Sequence, residues 1–265
     1  MDTANKPVYE ELDGKTALVT GASKNIGRSI AVTLAEAGVD VGITAKSNIN
    51  GCEKTASQVR ENGSKAAIEL GDLANSGEVA GVVERIREEI GPIDILVNNA
   101  AIRPHAPFEE LTVEQWDRVQ NTNLRSAFIM AQEVLSDMRR QGEGAIVHIS
   151  GLIGHQGRKD SVATTVSKAG LFGLTRSLAA DLGPAGIRVN NIIPGRKLKT
   201  DRDQKNQQHF EIIEDCTPLR RRADPEEVAK VVRFVVSSEA TYINGEQIKV
   251  DGGLSNSQTG AHVVR

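Results

Sequence analysis

Short apolar runs alternate with longer amphipathic stretches along the whole chain. Several of the runs are continuously apolar, which is typical of strands buried on both faces of a parallel sheet. The predicted strands cover residues 16–20, 39–43, 66–70, 93–97, 145–149, 187–191 and 247–250. Apolar positions recur at helical spacing between them, in residues 26–37, 51–61, 78–90, 113–140, 163–182 and 225–237.

This alternation predicts an α/β fold with right-handed βαβ units. We expect one Rossmann-type domain over residues 1–265, with a doubly wound parallel sheet of about seven strands flanked by helices. Residues 196–222 interrupt the pattern with a polar, basic stretch, which predicts a flap or small lobe over the carboxyl edge of the sheet. Residues 255–265 are expected to form a flexible tail.

Composition narrows the classes of function. The chain has 265 residues and a net charge of −3, which gives no case for nucleic acid or an anionic membrane surface as a partner. Every apolar run is far shorter than the roughly 20 residues of a membrane span. Cys52 and Cys216 stand apart and outside any metal-ligand spacing, so no disulfide framework and no metal is expected. With a polar, acidic start unlike a secretory signal, this predicts a cytoplasmic protein.

A glycine-containing turn follows the first predicted strand and leads directly into a helix. In this context, glycines let the backbone approach a pyrophosphate, and the helix N-terminus supplies N–H groups and a positive dipole. Asn25 stands in this turn, and asparagine tolerates left-handed backbone, so the turn should survive there. The sequence therefore predicts a dinucleotide site that includes Gly21, Ser23, Lys24, Asn25, Ile26 and Gly27.

Further motifs in the same order and spacing resemble the classical short-chain dehydrogenase/reductase family over almost the whole chain. They are Asp72-Leu73, Asn98-Asn99-Ala100-Ala101, Asn123, Ser167-Lys168-Ala169-Gly170, Arg188-Val189-Asn190, Pro194-Gly195 and Asp251-Gly252-Gly253. The resemblance implies that Asp72, with Leu73, holds the adenine of a nicotinamide cofactor. It also implies that Asn98 and Ala100 flank the adenine ribose, that Lys168 holds the nicotinamide ribose, and that Pro194-Gly195 lies against the nicotinamide.

Charge at the end of the second strand indicates which cofactor is used. An acidic residue there would favour NAD(H), whereas this chain has Ala45 followed by Lys46, with Lys24 in the glycine turn. Cations that face a 2′-phosphate favour NADP(H), which is our prediction. The alternative is that both lysines are ordinary solvated surface residues.

The family's catalytic machinery consists of a serine, a tyrosine, a lysine and an asparagine. Lys168 and Asn123 match the lysine and the asparagine. The tyrosine position, four residues before Lys168, is Thr164, and the serine position is Gly151. The resemblance is therefore to an atypical member that lacks the serine and the tyrosine.

No other residue restores the missing pair. Ser150 lies one residue early, and strand alternation is expected to turn its side chain away from the site. Tyr9 precedes the first strand and Tyr242 precedes the last, so neither replaces the tyrosine. Ordinary ketone reduction by the family's mechanism is therefore doubtful, because the loss of a general acid costs about 10² to 10⁴ in rate.

Three hypotheses remain for the chemistry. In the first, hydride passes to an acceptor that needs little acid help, an iminium or a conjugated C=C, with Lys168 and Thr164 as hydrogen-bond donors. Relatives that reduce conjugated alkenes look similar, with a small hydroxyl residue in the tyrosine's place. In the second, another acid acts, and His155 is the candidate, ahead of His105. In the third, the protein is a cofactor-binding pseudoenzyme or a non-redox enzyme.

The basic stretch 196–222 and two of the long predicted helices bear on the substrate and on subunit contacts. Seven cations could capture an anionic substrate, or they could belong to a solvated loop balanced by nearby acids. They are Arg196, Lys197, Lys199, Arg202, Arg220, Arg221 and Arg222. The family resemblance implies a homotetramer or homodimer formed through the helices predicted at 113–140 and 163–182.

Overall fold

The computed structural model describes residues 9–196, 198 and 207–256. Its seven strands form one parallel sheet in the order β3-β2-β1-β4-β5-β6-β7. The order reverses between β1 and β4, which is the switch point where open α/β sheets bind ligands. The predicted doubly wound sheet is therefore confirmed. The strands are β1 Thr16–Thr20, β2 Asp40–Ala45, β3 Ala66–Leu70, β4 Ile95–Asn98, β5 Gly144–Ile149, β6 Ile187–Pro194 and β7 Gln247–Val250.

Nine α-helices connect and follow these strands in the described part of the chain. They are α1 Asn25–Ala35, α2 Ile49–Glu61, α3 Ser76–Ile90, α4 Val113–Gln120, α5 Ser126–Gln141, α6 Ile153–Gln156, α7 Val162–Leu182, α8 Gln207–Cys216 and α9 Pro225–Val236. Short 3₁₀ segments lie at Glu10–Leu12, Phe108–Glu110, Gly183–Ala185 and Ser238–Ala240. None of the helices in these ranges is both long and apolar enough to cross a bilayer.

The single helix predicted over 113–140 is interrupted. A capping box between Thr112 and Gln115 starts α4, and a π-helical segment, Asn121–Arg125, separates it from α5. The wider turn carries Thr122 and Asn123 into the interior. Single π-helical turns are often found at functional sites, and no periodicity in the sequence marks them.

Other differences concern boundaries and short elements. β6 extends to Pro194, which pairs with Val250 of β7, because the hydrogen-bonded ladder rather than the apolar run sets the end of a strand. Sequence periodicity did not predict α8, which lies inside the basic stretch 196–222. Residues 197 and 199–206 of the proposed flap, and 257–265 of the proposed tail, lie outside the described residues.

Two hydrophobic layers cover the faces of the sheet. Alternate residues of β5 illustrate the division, since Val147 and Ile149 join the layer under α1, α2 and α9, whereas Ile146 joins the layer under α3 and α5. The same alternation places His148 on the face of Ile146. One polar residue of β5 is thus buried within the hydrophobic interior.

Candidate active site

The glycine turn between β1 and α1 is packed against the loop that follows β4. Gly21 has φ of +65°, and a Cβ there would lie 2.8 Å from Ala100 Cα. At Gly27 a Cβ would lie 2.6 Å from Asn99 Nδ2. Asn25 adopts φ of 49°, which confirms that asparagine keeps the left-handed backbone of the turn. The turn therefore has the conformation that a close approach to a phosphate requires.

Hydrogen bonds join this turn to the β4 loop. The hydroxyl of Thr20 accepts from the backbone N–H groups of Asn99 and Ala100 at 2.9 and 3.0 Å. The Asn99 amide donates to the carbonyl of Thr20 at 2.8 Å. The N-terminus of α1 has no side-chain cap, so its N–H groups are available to an anion.

The two lysines predicted to choose the cofactor differ in their surroundings. Lys24 is exposed and has no ion-pair partner among the described residues. Lys46 forms a salt bridge with Asp72 at 2.7 Å, and Arg118 approaches the same carboxylate at 3.2 Å. The hydrogen bond from Lys46 is the main cause that lowers the pKa of Asp72. Ala45 ends β2, as predicted.

The motif at the end of β6 is also tightly packed. The N–H of Gly195 donates to the carbonyl of Val250 at 2.9 Å, and a Cβ on Gly195 would lie 2.9 Å from Asp251 Cα. Pro194 therefore ends its strand beside the carboxyl end of β7. This backbone lies at the carboxyl edge of the sheet, two strands from β4.

Asn123 connects the β4 loop to α7. Its side chain accepts from Ile102 N–H at 2.8 Å and donates to the Ile102 carbonyl at 3.0 Å. It also donates to the hydroxyl of Ser167 at 3.0 Å, and this hydroxyl donates to the carbonyl of Thr164 at 2.9 Å. Asn123 thus fixes the loop after β4 directly beside the residue that precedes Lys168.

Lys168 is buried, with 2% of its surface exposed. Its Nζ donates to the carbonyl of Ile149 at 2.7 Å. Burial lowers its pKa to about 7, and the positive charge of Arg103 contributes in the same direction. A buried lysine with a pKa near neutrality can release or accept a proton at physiological pH.

The positions of the missing serine and tyrosine differ in the space around them. Thr164 is 1% exposed, and its hydroxyl oxygen has no hydrogen-bond partner in the described part of the chain. Gly151 is half-buried, and a Cβ there would meet only Ile153 Cγ2, at 3.9 Å. The Ser150 hydroxyl donates to the carbonyl of Ile192 on β6 at 3.3 Å.

The two candidate histidines lie in different kinds of element: His155 is in the short helix α6, whereas His105 is in the loop after β4. His155 is exposed on α6, and its ring centroid lies 4.4 Å from that of Phe172. Burial and then the charge of Lys249 lower the pKa of His155. The Nδ1 of His105 lies 3.1 Å from the hydroxyl of Ser161. Neither histidine is hydrogen-bonded to Thr164 or Lys168.

The described cations of the basic stretch have partners. Arg221 forms two 2.7 Å bonds to Glu227, and Arg222 lies 3.2 Å from Glu214. These ion pairs agree with a loop whose charges are internally balanced. Lys197, Lys199 and Arg202 lie outside the described residues.

Sequence reasoning missed three polar residues: Arg103 and His148, which interact electrostatically with Lys168, and Asn191, which is opposite His148 in the sheet. Arg103 follows the clamped Ile102, and His148 and Asn191 are buried on β5 and β6. Each of the last two interrupts an apolar run, which is the signal that could have revealed them. Among the residues that the structure describes, no group of three or more His, Cys, Asp or Glu side chains could hold a metal ion.

Comparisons with known proteins find similarity over almost the whole chain. The family model described as Enoyl-(Acyl carrier protein) reductase matches residues 21–255. The 3-oxoacyl-(acyl-carrier-protein) reductase of Vibrio cholerae is 35% identical over 244 residues, which are 92% of this chain and 98% of that protein. The Escherichia coli protein of the same name is 37% identical over 244 residues, 91% of this chain and 98% of its own length.

Solved structures are also similar to this chain over almost its whole length. A protein from Sinorhizobium meliloti, described as a short-chain alcohol dehydrogenase, superposes with a TM-score of 0.89 at 35% identity and covers 95% of this chain and 100% of its own. A double mutant of a Serratia marcescens short-chain dehydrogenase/reductase superposes with a TM-score of 0.86 at 33% identity, with coverages of 92% and 99%. Both similarities extend over almost the whole chain.

Proposed function

The chain belongs to the short-chain dehydrogenase/reductase family, and we propose that it is an NADP(H)-dependent oxidoreductase with a degenerate catalytic tetrad. Asn123 and Lys168 are retained, whereas Gly151 and Thr164 stand where the resemblance places the serine and the tyrosine. The observation that carries the proposal is the state of Lys168, a buried amine with a pKa of about 7, fixed at the end of β5.

The fit of the cofactor rests on the glycine turn. The packed backbone at Gly21 and Gly27 and the uncapped N-terminus of α1 suit a pyrophosphate. A bound nicotinamide cofactor would supply the hydride. The exposed Lys24 would pair with the 2′-phosphate of NADP(H), and Lys46 would join it by leaving Asp72. The remaining proposed contacts are Ser23, Asn25, Ile26, Leu73, Asn98, Ala100, Lys168, Pro194 and Gly195.

The acceptor is proposed to be activated, because no phenol is available at position 164. An iminium carbon becomes neutral when it receives hydride and needs no acid. A conjugated C=C that receives hydride at its β-carbon becomes an enolate, which the Lys168 ammonium stabilises and then protonates. The Thr164 hydroxyl, which has no described partner, would donate a hydrogen bond. A plain ketone needs a stronger acid at this position.

The comparisons support an oxidoreductase, and they name two different acceptors. The family model is described by enoyl reduction, which acts on a conjugated C=C. The curated relatives are named for the reduction of a 3-oxoacyl group, which is a ketone. We propose the first chemistry for this chain because Gly151 has no hydroxyl and the Thr164 hydroxyl is a much weaker acid than a phenol.

A second candidate is a cofactor-binding pseudoenzyme or a non-redox enzyme on the same scaffold. The observation that favours it is the burial of Thr164 and Lys168, which a substrate must reach. We keep His155 as a proposed replacement for the missing acid, on the basis of its position in the sequence. Its ring is held by Phe172, and burial lowers its pKa, so it would act as an acid below neutral pH.

We further propose that the protein is a homotetramer or homodimer and that its substrate is a small molecule. Because the described cations of residues 196–222 already have partners, the substrate need not be an anion. An open apolar hollow lies between α5 and α7, with Leu124, Phe128 and Leu174 in its lining. Phe128 is 43% exposed there. A second copy would cover this face.

The experiment that tests the function follows NADPH oxidation with a panel of iminium, enone and ketone acceptors. We expect turnover with the first two classes and little with the third. Lys168→Ala should lose the activity on enones and keep the fold, as judged by circular dichroism. Lys230→Ala is the matched control, because Lys230 is an exposed lysine on α9. Full activity of Lys168→Ala would contradict the role given to Lys168, and the absence of turnover across the panel would favour a pseudoenzyme.

A further inference from the structure

The side chain of Arg28 reaches back from α1 to the turn that precedes this helix. Side chains of an α-helix point toward its N-terminus, and Arg28 lies about one turn from the start of α1 at Asn25. Its Nη2 donates to the carbonyl of Ser23 at 2.5 Å and to the carbonyl of Gly51, in α2, at 3.3 Å. One guanidinium thus joins the glycine turn to the second helix.

Thr55 of α2 completes the same connection. The Nε of Arg28 donates to the Thr55 hydroxyl at 3.0 Å. That hydroxyl donates its single proton to the carbonyl of Ala22, at 2.8 Å, or to that of Gly51, at 3.0 Å. Arg28 and the fully buried Thr55 therefore form a clamp, in which side chains of α1 and α2 bind two carbonyls of the turn.

The turn and α2 are in direct contact at this clamp. A Cβ on Gly51 would lie 2.7 Å from the carbonyl oxygen of Ser23. Ala22 and Ser23 are buried, and buried carbonyls need hydrogen-bond partners, which Thr55 and Arg28 supply. The conformation of the turn therefore depends on this clamp as well as on its glycines.

The same arginine contacts the backbone on both sides of Lys24. The Ser23 carbonyl belongs to the peptide unit before Lys24, and the backbone N–H of Arg28 donates to the carbonyl of Lys24 at 3.3 Å. Because the C=O and N–H of a trans peptide point in opposite directions, the bond to Ser23 also turns the Lys24 N–H away from Arg28. The backbone orientation of Lys24 is therefore set by its contacts with Arg28.

We propose that Arg28 is a positioning residue for Lys24 and that the Arg28–Thr55 clamp contributes to a preference for NADP(H) over NAD(H). A lysine whose backbone is already fixed loses less conformational freedom when it binds a 2′-phosphate. This inference rests on the proposed function, in which Lys24 pairs with that phosphate. Arg28 acts through Lys24, since the described hydrogen bonds of its side chain all end on neutral oxygens of the protein.

The test compares NADPH and NADH in fluorescence titrations of the purified protein. Arg28→Met removes the side-chain contacts to the turn and to α2, and should lower the preference for NADPH over NADH by about 5-fold. A change that only loosened the turn would weaken both cofactors alike, because both carry the pyrophosphate. Arg60→Met is the matched control, since Arg60 donates to the carbonyl of Ala66 at 2.8 Å from the other end of α2. It should leave the preference unchanged.

A double-mutant cycle tests whether Arg28 acts through Lys24. If it does, Arg28→Met should lower the NADPH preference of the unsubstituted protein but cause no further loss in Lys24→Ala. Equal losses in the two backgrounds would overturn the proposal. Arg28→Lys keeps the charge without the planar fork and should show most of the loss. A full NADPH preference in Arg28→Lys would assign the effect to charge alone and would equally contradict the positioning role.

Thr55→Val keeps the test decisive if Arg28→Met fails to fold. It removes the hydroxyl without changing the charge and should lower the NADPH preference by about 2-fold, whereas Thr55→Ser should retain it. An unchanged preference in Thr55→Val would overturn the clamp. A protein that binds NADPH no more tightly than NADH would overturn the proposed cofactor and this inference together. A preference for NADPH that persists undiminished in Arg28→Met would overturn this inference alone.

Discussion

The Nζ of Lys168 donates a 2.7 Å hydrogen bond to the carbonyl oxygen of Ile149, which joins α7 to the end of β5. This bond fixes a buried amine at the carboxyl edge of the sheet, where ligands of open α/β sheets bind. Burial brings the pKa of the lysine to about 7. Lys168 can therefore hold and release a proton under conditions in which an ordinary lysine stays charged.

The first prediction concerns the pH dependence of enone reduction. Lys168 acts as an acid only while it is protonated, so the rate of the reduction should fall as pH rises through about 7. Lys168→Arg keeps the positive charge but cannot release a proton, and should lower kcat by about 100-fold or more. Steady-state rates between pH 5.5 and 9 provide the measurement. A flat profile would show that another group supplies the proton.

The second prediction concerns stability. The pKa of Lys168 falls from 10.5 to about 7 on folding, so the unfolded chain binds one more proton at this site between those pH values. The free energy of unfolding should therefore rise with pH in that window, by about 1.4 kcal/mol per unit at most. Lys168→Met lacks this contribution. In urea denaturation, the free energy of unfolding should rise between pH 7 and pH 9 by more for the wild type than for Lys168→Met. An equal change in both proteins would contradict the depressed pKa of Lys168.

The third prediction separates the two lysines of the cofactor site. Lys24→Ala should weaken NADPH binding roughly 10-fold and leave NADH binding nearly unchanged, because a charge-assisted bond to the 2′-phosphate is lost. Lys46→Ala should have a smaller effect, because Lys46 must first leave Asp72. Fluorescence titration with both cofactors provides the measurement. Equal losses for NADPH and NADH in Lys24→Ala would place this lysine away from the 2′-phosphate.

The fourth prediction restores the missing donors. Gly151 has open space at its Cβ position, so a serine fits there. Gly151→Ser combined with Thr164→Tyr should produce measurable ketone reduction with NADPH, whereas each single variant should stay near the background, because the residues of such a relay act as a unit. If the double variant binds NADPH but reduces no ketone, more than the relay differs from the family pattern.

The fifth prediction concerns assembly. Phe128 lies in the apolar hollow between α5 and α7 and is 43% exposed. Phe128→Glu should shift the protein to monomers in light scattering after size exclusion, because a charge would be buried at the interface. Phe108→Glu is the control, as Phe108 is 73% exposed in a 3₁₀ segment outside this hollow. If Phe128→Glu leaves the oligomer unchanged, the hollow between α5 and α7 is not a subunit interface.

The architecture could be predicted because most strands contain a short apolar run that alternates with helical periodicity, whereas several strand ends were predicted wrongly. The left-handed backbone at Asn25 could be predicted as well, since only the turn chemistry was needed. The π-helical segment at Asn121–Arg125 could not, because it continues the helical pattern and depends on the contact of Asn123 with Ile102. Periodicity describes one element at a time, whereas this feature depends on two.

The surroundings of Lys168 show the same limit. Its position was evident from the motif, but its pKa depends on burial and on the charge of Arg103, which is distant in sequence. The alignment of Asn98, His148 and Asn191 on neighbouring strands requires the strand order and the register, which no local pattern provides. Likewise, nothing in the sequence indicated the salt bridge between Lys46 and Asp72, because the two residues lie at the ends of different strands.

The most direct test of the central claim is a fluorescence titration of the purified protein with NADPH, run beside NADH at the same salt concentration. The cofactor turn, with Lys24 exposed beside it, predicts saturable NADPH binding and clearly weaker NADH binding. Failure of both cofactors to bind would contradict the account, since every proposed step depends on a hydride donor held at that turn.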